Sequence, residues 1–596
     1  MRLKGCGFWR PLHRNMGLCS GLSPAARSAL PARGMSLLLA VVPLVGCGMG
    51  SAPSQVRLRD LTREEARADF QQIVDGFRNL YGPLEYKERR LGYTFDSLVS
   101  QTFAELETTK SDTEVYAAYA RFLARFDDGH VSIRFPSKSA LGYNRVTLPI
   151  VAEPLDGKPI VTAIGEKDIE DLGVAVGDEV VSVDGRSARD LLDAFVSLEG
   201  MANDLSREHL YFRLFNRRNF SGDLFPTASE AVIVLRKPDG VERTVRATWR
   251  RTNDLDRPVV DGALGLGRAQ LTSPIAAEIN ATAGLAKIGN ERPFFVTKEA
   301  QEAFAFSQVT PSEDMLAKYK LKPRTAPRIY ASLFRHGGKN VLIVRQPGYS
   351  TEKYEDVARY LSAYRAILNQ FESIADVLVV DQTLNPGGYL DYCQGFAQIF
   401  TNKAAPGFMQ AFNTDRKWIQ SYRDWAREID GDLKSEASLR KLSTAERIER
   451  DYDAGLSISG VLPFYGEPML SPDAGYTWKK PVLVLIDELA GSCGDVFPML
   501  VKAGGNATLF GERTWGLGGN VEGFQLNYSL ADVRLTRGLF TAYRGEQASY
   551  ADSVFVENNG VTPDIPFKRT LEDFRKGYVD YVKAFADAAV KLTEAQ

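Results

Sequence analysis

The chain has 596 residues, is 44% hydrophobic and 25% charged, and carries a formal net charge of −2. That length accommodates two to four domains of about 100–200 residues each. Near-neutrality gives no electrostatic footprint for nucleic acid as a partner, and the absence of metal-ligand spacing or a phosphate loop means no cofactor is expected.

The first segment reads as a targeting signal rather than a fold. Arg27 and Arg33 precede the apolar run Leu37 to Val45, which is shorter than the roughly 18–20 residues that cross a bilayer. It ends at Leu44-Val45-Gly46-Cys47, similar to a bacterial lipobox whose cysteine is lipidated. Residues 1–47 are therefore expected to be a signal peptide and 48–57 a tether. The membrane would be touched only through the lipid on Cys47, and the protein would be an exported lipoprotein of the bacterial cell envelope.

Residues 58–140 read as a helical region, with Phe70, Ile73, Phe77 and Leu80 at helical spacing. It closes on Asp127-Asp128-Gly129-His130, a turn leading into a strand. Residues 145–250 form a separate β module by pattern. Gly177-Asp178-Glu179-Val180-Val181-Ser182-Val183-Asp184-Gly185 resembles the signature of PDZ domains, which capture peptides by strand addition; a β module without a ligand is the alternative. Residues 251–335 read as a connecting or cap region.

The remainder, 336–596, reads as an α/β core with a charge-rich helical insertion at 410–475. Val341–Val344 and Val377–Val380 are apolar strands. The second runs into Asp381-Gln382-Thr383-Leu384-Asn385-Pro386-Gly387-Gly388, where adjacent glycines can turn backbone N–H groups toward a ligand. Asp381 would either fix that loop or do chemistry. A third apolar run, Pro481–Asp487, reads as a strand buried on both faces and leads to Gly491-Ser492-Cys493-Gly494-Asp495. A helical pattern over Val496–Ala503 follows, with Pro498 expected near its first turn. Ser492 would stand at a strand-to-helix corner beside a helix N-terminus, where developing negative charge is favoured. An N-cap serine is the plain alternative. An esterase of the α/β-hydrolase type is a disfavoured rival, because its nucleophile elbow needs a glycine where Ala490 stands.

In order along the chain, Asp-Gly-His, the PDZ-like module, Asp-x-x-x-Asn-Pro-Gly-Gly, Ser-x-x-Asp, Gly-Glu-x-Thr-x-Gly and Gly-Val-x-Pro-Asp-Ile resemble the C-terminal processing (tail-specific) serine peptidases. The tricorn core protease and the retinoid-binding repeats belong to the same group. The resemblance implies a crotonase-like fold, polypeptide substrates, Ser492 as nucleophile, and an oxyanion hole from the N–H groups of Cys493 and Gly388. The processing peptidases take their base from a lysine after Thr-x-Gly. Here Leu517 follows Thr514-Trp515-Gly516, so that dyad is excluded. The tricorn-like branch uses a histidine, which falls on His130, and a carboxylate, which falls on Glu557. His209 and His336 read as surface residues. Thr383 departs from the family's usual arginine after the strand aspartate. A catalytically inactive scaffold of the same fold, binding peptides or apolar ligands, is the competing reading.

Overall fold

The computed structural model describes residues 60–134, 145–215, 228–252, 292–542 and 553–594, with Leu224 and Pro226. The signal segment with Cys47, the tether and residues 253–291 of the 251–335 connection lie outside the described residues. Four helices open the described chain: α1 Arg63–Leu80, α2 Leu84–Leu91, α3 Phe95–Leu106 and α4 Asp112–Ala124. Thr62 starts α1 with a capping box, its hydroxyl accepting from Glu65 N–H while the Glu65 carboxylate accepts from Thr62 N–H. Phe70, Ile73 and Phe77 then share one apolar face with Tyr119 and Phe122 of α4. The short strand β1, Ser132–Arg134, follows the Asp-Asp-Gly-His turn.

The next module holds strands β2 Ile150–Leu155, β3 Lys158–Ile164 and β4 Glu179–Val183, helix α5 Ala188–Val196, and strands β5 Glu230–Arg236 and β6 Glu242–Thr248. These strands pair antiparallel in sequence order. Its apolar core does not close on itself: Leu489, Trp515 and Leu517 from the C-terminal part of the chain belong to the same cluster.

The C-terminal part is built on strands β7 Ala331–His336 and β8 Lys339–Arg345, helix α6 Val357–Phe371, strand β9 Val377–Asp381 and helix α7 Leu390–Phe400. Helices α8 Arg416–Ile429 and α9 Glu436–Asp453 come next, flanked by the paired strands Phe408–Asn413 and Ile458–Pro463. Strand β10 Val482–Ile486, helix α10 Cys493–Ala503, strands β11 Thr508–Gly511, β12 Val521–Gln525 and β13 Asp532–Thr536, and helix α11 Val579–Leu592 complete it. Strands β8, β9, β10 and β11 run parallel, and β7 is antiparallel to β8. Successive residues of these strands point to opposite faces. Leu342, Val344, Leu378, Val380, Val482 and Val484 pack against α6, α7 and α10, whereas Val341, Ile343, Val377, Val379, Leu483 and Leu485 pack against α11. Burial on both faces is why the three apolar runs are legible as strands. Strand β1 pairs antiparallel with β13, which carries the Asp-Asp-Gly-His turn onto the C-terminal core.

Two local expectations are corrected. Helix α10 begins at Cys493, not at Val496, so Pro498 lies beyond its first turn. A proline there cannot donate to the Gly494 carbonyl; the Gln382 side-chain amide donates to that carbonyl instead, at 2.9 Å. His209 is buried and bonds Glu488 rather than facing solvent, because it lies where the β module meets the end of β10. His336 is partly exposed and bonds Asp587 at 2.6 Å.

The arginine missing at Thr383 is supplied from the neighbouring strand. Arg345 of β8 donates to Asp381 at 2.8 Å and to the Thr383 hydroxyl at 3.0 Å, and all three side chains are buried. Asp381 thus ties the loop to the sheet. Arg345→Met would leave a buried carboxylate without its counter-charge and should cost about 3–5 kcal/mol of stability. Chemical denaturation of the purified variant measures this.

Candidate active site

Ser492 sits between β10 and α10 with φ 55° and ψ −117°, a backbone conformation that side-chain-bearing residues rarely adopt. The corner is held from two sides. Gly491 N–H donates to the Asn385 carbonyl at 2.9 Å, and the Ser492 carbonyl accepts from Asp495 and Val496 N–H at 2.8 and 3.0 Å. Asn385 also accepts from Gly387 N–H at 2.9 Å and donates to the Gln346 carbonyl at 3.0 Å. The Leu384 N–H, in turn, donates to both oxygens of Asp487, at 2.9 and 3.0 Å.

This brings the glycine pair against the serine. A Cβ on Gly387 would stand 2.7 Å from Ser492 Cβ and 2.8 Å from Cys493 N, and its φ is +94°. A Cβ on Gly388, with φ +143°, would strike the Tyr349 carbonyl carbon at 2.3 Å. Since Gly387 N–H is taken by Asn385, the open amides are those of Gly388 and Cys493, which have no hydrogen-bond partner among the described residues. The Cys493 thiol donates to the Gly388 carbonyl at 3.1 Å and that of Cys393 to the Cys493 carbonyl at 3.5 Å; both cysteines are free and buried.

Asp495, buried under the corner, accepts from the Thr514 hydroxyl at 2.5 Å, Gly516 N–H at 2.9 Å and Leu517 N–H at 3.0 Å. Burial pushes its carboxyl up to about 7, against the pull of those donors. The loop it fixes puts Leu517 between the two halves of the site. A Cβ on Gly129 would lie 2.7 Å from Leu517 Cδ2, and one on Gly491 would lie 3.0 Å from Leu517 Cδ1. The residues preceding His130 and Ser492 therefore press on the same leucine, hundreds of positions apart in sequence.

His130 is wholly buried, and neither ring nitrogen has a hydrogen-bond partner among the described residues. Burial pushes its pKa down to about 4; Asp128 opposes this, while Lys87 and Arg534 add to it. The imidazole is therefore neutral across the physiological range. Asp128 does not bond the ring: one oxygen accepts from His130 N–H at 2.9 Å and the other from the Tyr81 hydroxyl at 3.0 Å.

Glu557 is equally buried, and its carboxylate is engaged by Lys87 Nζ at 2.5 Å and Gly518 N–H at 3.0 Å rather than by His130. Burial and then Asp128 push this carboxyl up to about 7, with Lys87 pulling the other way. Lys87 gave no signal in the sequence, where it sits in the charged run Glu85-Tyr86-Lys87-Glu88-Arg89-Arg90. Asn558 beside Glu557 was equally silent.

Residues 340–567 match the profile of peptidase family S41. This chain carries an S41 domain and is a serine peptidase. The S41 match spans from β8 past β13 and includes the 381–388 loop, Ser492, Asp495 and Glu557, but not His130 or Lys87. A Chlamydia pneumoniae protein is 24% identical over 578 residues, covering 88% of this chain and 90% of its own length. Tricorn protease homolog 1 of Streptomyces coelicolor is 33% identical over 121 residues, which is 20% of this chain and 11% of that one. Among solved structures, mature CPAF in complex with lactacystin has the same fold, with TM-score 0.69 and 23% identity over 90% of this chain and 99% of that chain. A CPAF serine-to-alanine mutant superposes with TM-score 0.70 at 22% identity, over 89% and 98% of the two chains.

Because the Gly387 backbone lies against Ser492, Gly387→Ala should force the 385–388 loop away from the serine. It should lower kcat by about 10²–10³-fold, the range for losing one oxyanion donor. Steady-state peptide hydrolysis, with the melting temperature as a control for folding, reads this out.

Proposed function

We propose that this protein is an exported serine endopeptidase of the tail-specific type, anchored through a lipid on Cys47, with Ser492 as nucleophile and His130 as general base. The observations that support it most are a strained serine corner and a buried, neutral imidazole without a hydrogen-bond partner among the described residues, with Gly491 and Gly129, the residues before them, both against Leu517. Leucine cannot take a proton, so the base must come from elsewhere, and a neutral imidazole is competent for that role.

In this reading a peptide carbonyl places its oxygen on the Gly388 and Cys493 N–H groups. The Ser492 hydroxyl attacks the carbonyl carbon while its proton passes to a ring nitrogen of His130. The tetrahedral oxyanion collapses, the C–N bond breaks, and the imidazolium returns the proton to the leaving amine. Water then attacks the acyl-enzyme, giving its proton to His130; the ester C–O bond breaks and the imidazolium returns that proton to the Ser492 oxygen, regenerating the serine. Glu557 is the carboxylate that would steady the imidazolium, and the helix start beyond Ser492 adds its dipole to the oxyanion site.

The competing reading, an inactive scaffold, draws on the fact that Glu557 bonds Lys87 rather than His130 in this structure. Ser492→Ala should abolish peptide hydrolysis and fluorophosphonate labelling while leaving the melting curve in place. An intact wild-type chain that takes no fluorophosphonate label would decide for the scaffold.

Burial sets the titration of the base. Histidine-selective NMR of the free protein should show His130 titrating well below the ordinary value near ~6.5, close to its value of about 4. A midpoint at or above 6.5 would remove the premise that burial keeps the imidazole neutral.

A further inference from the structure

Lys87 is an ammonium with no access to solvent. Its three donors are used up: Glu557 Oε1 at 2.5 Å, Asn558 Oδ1 at 2.7 Å and the Asp127 carbonyl at 3.0 Å. Asn558 reinforces the same junction, its amide donating to the Asp127 carbonyl at 2.6 Å and to the Ala202 carbonyl at 2.7 Å. Asp127 and Asn558 both have positive φ, at 46° and 63°, so the turns that meet there are held in conformations the chain would not choose alone. One side chain from α2 therefore clamps the turn that carries His130 to the segment that carries Glu557.

We propose that Lys87 is a positioning residue of this peptidase: it ties the Glu557 carboxylate to the turn that carries His130. The inference rests on the reading of Ser492 and His130 given above. A buried lysine with a carboxylate partner has a plain structural role as well, but a structural staple would not need to stand where it opposes protonation of the base. The charged and titratable groups facing this pocket are Lys87 and Tyr86 from α2, Tyr81 at the end of α1, Asp128 in the turn, Arg534 on β13, and Glu557 itself. Asp128 favours the imidazolium, whereas Lys87 and Arg534 oppose it. Losing the ammonium removes one of the two opposing charges, which favours the protonated histidine.

The test is Lys87→Met in the full-length protein, read by the NMR titration of His130 and by kcat/KM on a peptide substrate. The expected result is a His130 midpoint raised by about one unit or more, with kcat/KM down at least tenfold. Lys87→Arg, which keeps the charge, should leave the midpoint at the wild-type position. A folded Lys87→Met protein with an unmoved His130 midpoint overturns the proposal. If Lys87→Met does not fold, Lys87→Met/Glu557→Gln removes both buried charges together; restored folding with a His130 midpoint above wild type supports the proposal. A double variant that is no more stable than the single one, or whose midpoint matches wild type, overturns it. The two levels fail separately. Peptide hydrolysis surviving in Ser492→Ala sinks the peptidase reading, whereas an unmoved His130 in Lys87→Met sinks only the role of Lys87.

Discussion

The site depends on a backbone constraint: Ser492 is held at φ 55°, on a corner that no hydrophobic packing would select for a serine. Such a conformation persists only where its surroundings over-determine it, and here the surroundings are mostly main chain. The Asn385 carbonyl grips Gly491, the first turn of α10 grips the Ser492 carbonyl, and Gly387 approaches so closely that no side chain fits between. The same approach leaves the amides of Gly388 and Cys493 open. The strain at the serine and the presence of two open donors beside it are therefore consequences of one loop meeting one corner.

Much of the remaining architecture keeps that loop and corner in register. Asp487 at the end of β10 holds Leu384, and Asp381 at the end of the adjacent strand is held by Arg345. Asp495 reaches down from α10 to fix residues 514–517. Each is a buried carboxylate spending its lone pairs on N–H, hydroxyl or guanidinium donors, which is the condition under which buried charge is tolerated. The effect is to connect parallel strands, whose ends would otherwise be independent loops, into one polar scaffold behind the serine.

How much of this was legible in the sequence differed by the kind of interaction. The strands and the serine corner were readable because a strand buried on both faces leaves an unbroken apolar run, and turn residues bound it. Gly387-Gly388 was readable because only glycine meets the demand there. Arg345 and Lys87 were not, because each acts through a partner in another element: Arg345 lies 36 positions from Asp381 and Lys87 lies 470 from Glu557. A lone cation in a charged run looks the same whether it faces water or a buried carboxylate. Pro498 shows the same limit, since its tolerance depends on Gln382, outside the helix. His209 was misread because its burial comes from the meeting of two regions, which no local pattern records.

Leu517 carries a consequence for how this chain differs from lysine-using peptidases. Its side chain has no solvent exposure, lies in the apolar cluster shared with the β module, and presses on the residues before both His130 and Ser492. An ammonium placed there would have to be desolvated among apolar neighbours and would displace the packing that spaces the two halves of the centre. A lysine substituted at this one position would therefore loosen the centre rather than equip it, and a chain that fills the place with hydrocarbon has to draw its proton acceptor from another part of its length.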